Sequence, residues 1–531
     1  MKRTGSWVPL VVCVLVPGWS SAESDPFAKA RQGKLSYALN EVATKAEGGV
    51  RLTAAGRPYV DAAAQRVTAV IELGGGASAV EVRAAVQAAG GTVDAATEGL
   101  LRVSVPASML RSLSDLPGVG RMRPPFYPTR KQVVSQGVGV MGADAFRNAN
   151  GVDGTGVTVA VLDSGFAQTK DLIGGELPAD TQATQGVRDR LDSYDSPHGT
   201  ACAEIVHDVA PGASLVLADF DDDVTWGRAI DGLVAARVNV ISHSVGFDNL
   251  FPPDGNNFFA RKADEAAAAG VLFVTAAGNE GGNYFQGGWT DVNGNGFLEF
   301  GPGTELLPIA VGSPGSQVVL RWDDAFGTSS HDYDLLVVTR EFLDNPTLSR
   351  DNPAVLAVSA DTQSGAGNPR EVLTVEVGED RVLYAVVVHD SATPLNANQR
   401  FFLWSESGVS PSYANASGSL SLPGDARGAL TIGAVDFASR QVEGFSSRGP
   451  TADGRVKPDV AAPDGVSTAA YGESFAGTSA ATPHAAGAAA LLLARNPNAG
   501  LAGLRQIIER ATTSRGSGKN NDTGYGLIQL Q

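Results

Sequence analysis

Apolar and polar positions alternate in three different ways along this chain of 531 residues. Two short apolar runs, Val157–Leu162 and Val271–Ala277, are continuous and rich in β-branched residues. Runs of that length without alternation predict strands buried on both faces, as in a parallel sheet covered by helices. Residues 480–494 are almost all Ala, Gly and Leu, which predicts a helix buried all round. From 283 to 422 the pattern changes to short alternating segments, Val318–Trp322, Tyr333–Val338, Glu371–Val377, Val382–Val388 and Gln399–Trp404, separated by turn residues. That predicts an antiparallel β-sandwich. Ahead of these regions, Arg66–Leu73, Thr92–Ala96, Leu100–Val105 and Val119–Arg123 read as strands, and Ala77–Ala89 and Ala107–Leu116 as helices. The order βαββαβ predicts a small ferredoxin-like unit.

Candidate chemistry sits at the ends of the continuous runs. Asp163 follows the first apolar strand, and open α/β sheets place their sites at strand carboxyl ends. His198 stands in Ser196-Pro197-His198-Gly199-Thr200-Ala201, a small-residue entry to a helix. Asn279 ends Ala276-Ala277-Gly278-Asn279. Ser479 lies in Gly477-Thr478-Ser479-Ala480-Ala481-Thr482-Pro483-His484 at the start of the buried helix, with Pro483 expected in its first turn. A helix N-terminus aims backbone N–H groups at whatever that serine attacks. A serine hydroxyl needs a base and a group that orients the base. The chain order Asp, His, Ser is one of the known serial orders of the serine triad.

These blocks resemble the signature segments of the subtilisin-like serine peptidases, or subtilases. The resemblance rests on Asp163-Ser164-Gly165, His198-Gly199-Thr200, Ala276-Ala277-Gly278-Asn279 and Gly477-Thr478-Ser479-Ala480-Ala481-Thr482-Pro483-His484. Ile241–Gly246, Phe445–Pro450, Lys457–Pro463 and Asn521–Gly526 agree with lesser blocks, so the resemblance covers roughly 136–282 and 423–531. It implies an α/β fold, a subtilisin-like core with a parallel sheet between helices, and a serine endopeptidase. It implies Ser479 as nucleophile, His198 as base, Asp163 as its orienter and Asn279 as oxyanion donor. It implies Ser244, Val245 and Gly246 with Ala276, Ala277 and Gly278 as the two walls that hold substrate. No cofactor is expected for the chemistry. Cys202, four residues past His198, is expected to be a small buried residue beside the site. The 283–422 segment, through Val319–Asp323 and Asp332–Leu335, is similar to the pre-peptidase C-terminal domain of secreted bacterial proteases.

Composition places this core in a setting. Met1-Lys2-Arg3, an apolar stretch over 7–19 and Ser20-Ser21-Ala22 read as a secretory signal peptide, so the protein is expected to be secreted, or periplasmic in a host with an outer membrane. Cys13 leaves with the signal, so the mature chain holds one thiol and no intramolecular disulfide. Net charge is -17, with +4 over 23–135 and -23 over 136–531. Such acidity argues against nucleic-acid and anionic-membrane partners, and no membrane anchor is expected in the mature chain. The basic 23–135 segment is expected to be an inhibitory propeptide and its linker, a partner of the acidic body, and 124–140 an exposed linker. The expected organisation is therefore signal 1–22, propeptide 23–135, catalytic domain 136–282 and 423–531, and sandwich 283–422. Finally, Asp291, Asn293, Asn295 and Glu299 alternate with small residues like the start of a calcium loop, a candidate structural Ca²⁺ site, although Pro302 stands where an EF-hand has its bidentate Glu. The competing reading of the whole is a catalytically inactive, peptidase-like surface or matrix binding protein whose contacts are made by the sandwich.

Overall fold

The computed structural model describes residues 34–52, 59–74, 77–97, 99–125, 133–348, 352–365, 367–390, 393–514 and 518–531. The expected signal peptide, Cys13 and most of the 124–132 stretch lie outside the described residues. The chain divides into two compact units, Met1–Arg130 and Lys131–Gln531.

In the second unit, seven parallel strands form one sheet in the order Val460–Asp464, Leu430–Asp436, Leu272–Ala276, Val240–His243, Thr158–Asp163, Ser214–Asp219, Gln182–Ala183. Side chains alternate between its faces, and each face has its own core. Val159 and Val161 pack with Cys202, Ile205, Val206, Ala485 and Ala489, under the helices His198–Val209 and Thr478–Arg495. Ala160 and Leu162 pack with Trp226, Ile230, Phe259 and Ala263, under Asp223–Ala235 and Phe258–Ala268. Covering both faces explains why these strands carry unbroken apolar runs. The helix Thr478–Arg495 lies against five strands of the sheet and is buried from Thr478 to Leu492. Glycine lets this helix come close to its neighbour His198–Val209: a Cβ on Gly487 would lie 2.6 Å from the Val209 Cβ.

Pro483 corrects one expectation. It is the sixth helical residue, counting from Thr478, and so falls in the second turn rather than the first. Its missing N–H is therefore one that the Ser479 carbonyl would have accepted. That carbonyl instead accepts the Ser244 hydroxyl at 3.1 Å and the Cys202 thiol at 3.6 Å. The proline thus opens a backbone acceptor that ties the nucleophile's turn to the neighbouring strand and helix.

Two four-stranded antiparallel sheets occupy the inserted region. One orders Tyr284–Gly288, Arg400–Ser405, Gly315–Trp322 and Arg370–Glu376; the other orders Leu307–Val311, Arg381–His389, Tyr333–Val338 and Val355–Ser359. Their facing sides share a core that includes Phe285, Trp322, Tyr333, Leu383 and Phe401. Three of the eight strands were not anticipated. Tyr284–Gly288 ends in two glycines, Leu307–Val311 contains Pro308, and Val355–Ser359 is half-exposed along most of its length.

In the first unit, strand Arg66–Leu73 pairs antiparallel with Leu100–Pro106 and with Val119–Arg123, and Leu100–Pro106 pairs with Thr92–Thr97. The helix Tyr37–Glu47 was also not anticipated, although Leu39, Val42 and Ala43 form a buried stripe at helical spacing.

Candidate active site

Asp163 ends its strand fully buried, and its Oδ1 accepts the backbone N–H groups of Ser164 at 2.8 Å and Gly165 at 3.3 Å. His198 begins its helix and is partly exposed. Its Nδ1 lies 2.8 Å from Asp163 Oδ2 and 3.0 Å from Oδ1. Gly199 lets the two elements meet: a Cβ there would lie 2.7 Å from the Asp163 Cβ and 2.6 Å from the Phe166 ring. Phe475 meets the imidazole edge-on, with ring centroids 5.4 Å apart. Burial lowers the affinity of His198 for its proton, but the charge and hydrogen bond of Asp163 outweigh it, and its pKa lies above the usual 6.5.

Cys202, one turn along, is fully buried. Its thiol donates weakly towards Asp163 Oδ2 at 3.9 Å, and ligand-capable atoms of Asp163, His198 and Cys202 lie within 4.8 Å of one another. Burial, followed by the charge of Asp163, pushes the thiol pKa well up. A thiol held protonated in this way is a poor nucleophile.

Ser479 is buried in the first turn of its helix. Its hydroxyl donates to the Ser244 carbonyl at 2.9 Å, and no hydrogen bond joins it to His198 in this arrangement. Around it the donors are sorted. The Asn279 Oδ1 accepts both the Thr478 N–H and the Thr478 hydroxyl at 2.9 Å, which leaves its Nδ2 as an outward donor. Among the described residues neither Asn279 Nδ2 nor the Ser479 N–H has an acceptor. Both lie around Gly477, where φ is +113° and a Cβ would stand 3.0 Å from Asn279 Nδ2 and 3.5 Å from the Ser479 nitrogen. Glycine is thus required there by conformation and by space. Asp464 accepts the Gly477 N–H at 2.6 Å and fixes the turn from below.

The two expected walls flank the serine. Ser244 leaves the strand Val240–His243, and the backbone groups of Val245 and Gly246 have no partner among the described residues. Ala277 and Gly278 are held from behind, the Ala277 N–H by Ile432 O at 2.9 Å and the Gly278 carbonyl by the Ser447 N–H at 2.9 Å. Sequence reading did not pick out Ser421, whose N–H meets the Ala277 carbonyl at 2.9 Å; it follows the last sandwich strand, Arg400–Ser405, and no local pattern marks it.

The calcium-like residues belong to the loop that follows the strand Tyr284–Gly288. Asp291 accepts the N–H groups of Gly294, Asn295 and Gly296. The Glu299 carboxylate is buried, taking Val292 N–H at 2.9 Å and Gly303 N–H at 3.0 Å. Glu305, which the sequence reading missed, accepts both asparagine amides, Asn293 at 2.8 Å and Asn295 at 2.9 Å.

Comparison with known proteins agrees with this geometry. The subtilase family model matches residues 154–313 and 378–526, more than half of the chain. The serine protease AprX of Bacillus subtilis is 30% identical over 193 residues, which is 31% of this chain and 42% of that protein. Subtilisin of Bacillus pumilus is 38% identical over 102 residues, 19% of this chain and 35% of its own length. The chain thus spans less than half of the length of these relatives. The solved structure of the Clostridium perfringens CspB protease superposes with a TM-score of 0.50 at 17% identity, covering 74% of this chain and 96% of that one, a likeness of fold. The family model, the all-parallel core and the Asp163–His198 pair beside Ser479 agree: this chain belongs to the subtilase family.

Proposed function

We propose that the protein is a secreted serine endopeptidase made as a zymogen. The observation that carries the reading is the pair of unpaired donors, Asn279 Nδ2 and the Ser479 N–H, converging beside a serine whose neighbouring histidine is oriented by a buried aspartate. In the reaction Ser479 turns from the Ser244 carbonyl to His198 Nε2, gives up its proton and attacks the scissile carbonyl. Asp163 stabilises the imidazolium that forms, and His198 then protonates the leaving amine. The oxyanion forms between the two free donors, and losing one such donor costs about 100- to 1000-fold in turnover. The unpaired backbone of Val245 and Gly246 offers an edge on which a substrate peptide adds as a strand, with Ala276–Gly278 as the opposite wall.

The segment 23–135 acts as the propeptide, and the segment 1–22 directs export. The relatives' printed names, a serine protease and a subtilisin, support the activity. The loop at Asp291–Glu299 holds a structural Ca²⁺ through Asp291, the side-chain oxygens of Asn293 and Asn295, and Glu305. Glu305 takes the place expected of Glu299 in this set because its Oε1 meets both asparagine amides, whereas the buried Glu299 carboxylate meets the Val292 and Gly303 N–H groups.

The test is covalent labelling by a fluorophosphonate with casein hydrolysis alongside. Wild type is expected to label at Ser479 and to cleave, and Ser479→Ala to do neither. The binding-protein reading draws on the Ser479 hydroxyl being bonded to Ser244 rather than to His198; a folded mature protein that never labels would establish it.

A further inference from the structure

The sandwich sheet that holds Gly315–Trp322 turns Trp322 and Phe401 into the sandwich core, so Arg321 and Phe402 point the other way, towards the subtilase core. That outer face carries three arginines. In the strand register Arg321 stands opposite Arg370 on one side and Phe402 on the other, and Arg400 lies two residues before Phe402. The core meets them with neutral oxygens. Asn249 Oδ1 accepts the Arg321 Nε–H at 3.3 Å, and the Leu250 carbonyl accepts Arg370 Nη1 at 2.8 Å. Like charges directly across a strand pair repel. Among the described residues, none of the three arginines forms an ion pair that would relieve this.

Arg321 is the most enclosed of them, at 3% exposure. Its guanidinium lies over the Phe402 ring at 4.2 Å and interacts with Tyr284, and both of these partners are neutral. Burial, only partly offset by Tyr284 and by the charges of Asp254 and Asp323, holds its pKa below the usual value. A cavity of about 570 Å³ opens at this place. Arg321 and the exposed Arg400 line it with Gln286 and Phe402, while Pro252, Pro253 and Pro450 line it from the core. Arg400 Nη2 donates to Gln286 Oε1 at 3.4 Å. Two acids share the lining, but each is engaged. Asp323 Oδ1 accepts the Arg400 N–H at 3.0 Å and the Gln399 side-chain amide, and Asp324 is held by His331 Nδ1 at 2.9 Å and the Ser329 hydroxyl at 2.7 Å.

A buried guanidinium keeps its charge, so it calls for an anion at the cavity it lines. Its planar set of donors matches a carboxylate, and the prolines with Phe402 form an apolar bed beside it. The volume lies within the range of about 300–1,000 Å³ that holds a small ligand. We propose that this cavity binds a carboxylate carried on a body of one or two amino-acid residues, with the carboxylate on Arg321 and Arg400 and the apolar part against Phe402 and the prolines. The free end of a peptide and an acidic side chain both carry that group. None of the lining residues belongs to the Ser479 site or its two walls, so this site stands or falls independently of the peptidase reading.

The experiment is isothermal titration of the full chain carrying Ser479→Ala, which keeps the chain intact and alters nothing in this cavity. The probes are N-acetylphenylalanine, its neutral amide N-acetylphenylalaninamide, and N-acetylglutamic acid α-amide. At least one of the two acids is expected to bind about tenfold or more tighter than the neutral amide, the scale of a hydrogen bond to a charged group. That contrast needs no variant of the cavity to fold. A tighter N-acetylphenylalanine assigns the site to peptide ends, and a tighter glutamic α-amide assigns it to acidic side chains. Arg400→Gln, on an exposed residue, should weaken the acid about tenfold and leave the neutral amide unchanged, and Arg321→Gln should weaken the acid at least as much. Equal affinity for the acids and the neutral amide overturns the proposal. So does an acid that binds the Arg400→Gln chain as tightly as its parent, since the carboxylate then sits elsewhere, the Ser479 cleft included.

Discussion

At the scale of single residues, the proposed mechanism makes His198 set the acid limb of activity. Its pKa is raised because Asp163 offsets the cost of burial. A general base must be neutral, so activity is lost as pH falls through that raised value, and the limb in kcat/KM should centre above the ordinary 6.5. The same shift means that the pair's contribution to stability is present below the unfolded pKa and fades as pH rises through the folded one. Asp163→Asn should lower kcat by roughly 10⁴-fold, the scale of losing the orienting carboxylate. A pH–rate profile centred below 6.5, or an Asp163→Asn enzyme of near-normal rate, contradicts this assignment. Asn279→Ala tests the other half of the site: kcat should fall about 100- to 1000-fold with KM little changed.

Elements hold these residues in place, and two of them offer measurements. The buried Asp459 leads into the strand Val460–Asp464 and gathers Lys457 Nζ at 2.6 Å, Lys519 Nζ at 2.8 Å and the Thr431 N–H at 2.9 Å. Burial alone would raise its pKa, but the charges of Lys457, Arg505 and Lys519 hold it far below the carboxylate range. Its contribution is therefore present above the unfolded carboxylate pKa and is lost only as pH falls through the depressed one. Asp459→Ala strands the buried Lys457 and should cost about 3–5 kcal/mol in urea unfolding; a loss under about 1 kcal/mol would show that the network is dispensable. The Asp291–Glu305 loop belongs to the sandwich. With few formal charges it should bind calcium in the range of about 10⁻⁴–10⁻³ M. At about 100 times the dissociation constant that adds roughly 2.7 kcal/mol, visible as a calcium-dependent melting temperature. Asp291→Ala or Glu305→Gln should abolish the dependence; a melting curve indifferent to chelator makes the loop a plain turn.

At the scale of the whole molecule, the net charges of +4 over 23–135 and -23 over 136–531 favour attraction between leader and body. The zymogen reading then predicts that Ser479→Ala accumulates as an unprocessed precursor. The isolated leader should inhibit the mature enzyme less as salt rises, because surface charges are screened beyond about 8 Å at physiological ionic strength. Normal processing of Ser479→Ala in a host without other proteases would mean that maturation is not autocatalytic, and salt-independent inhibition would mean that the charge asymmetry has no role.

Much of this protein is legible without its structure, because its strongest signals are local. Continuous apolar runs belong to strands covered on both faces, and the chemistry-bearing residues Asp163, His198, Asn279 and Ser479 sit at the ends of such runs, where chain order alone suggests a triad. The alternating segments of 283–422 likewise announce a sandwich, since period-two patterning is what a half-buried strand requires. What stays hidden depends on contacts between distant segments. That Pro483 frees the Ser479 carbonyl for Ser244 and Cys202 emerges only when the helix start is fixed and three elements meet. That Glu305 rather than Glu299 faces the two asparagines depends on how the loop folds back. The bond from the Ser421 hydroxyl to Asp248 joins residues separated by 173 positions, across the sandwich strands between them. Periodicity records which face of an element is buried; only tertiary packing decides which distant side chain that face is buried against.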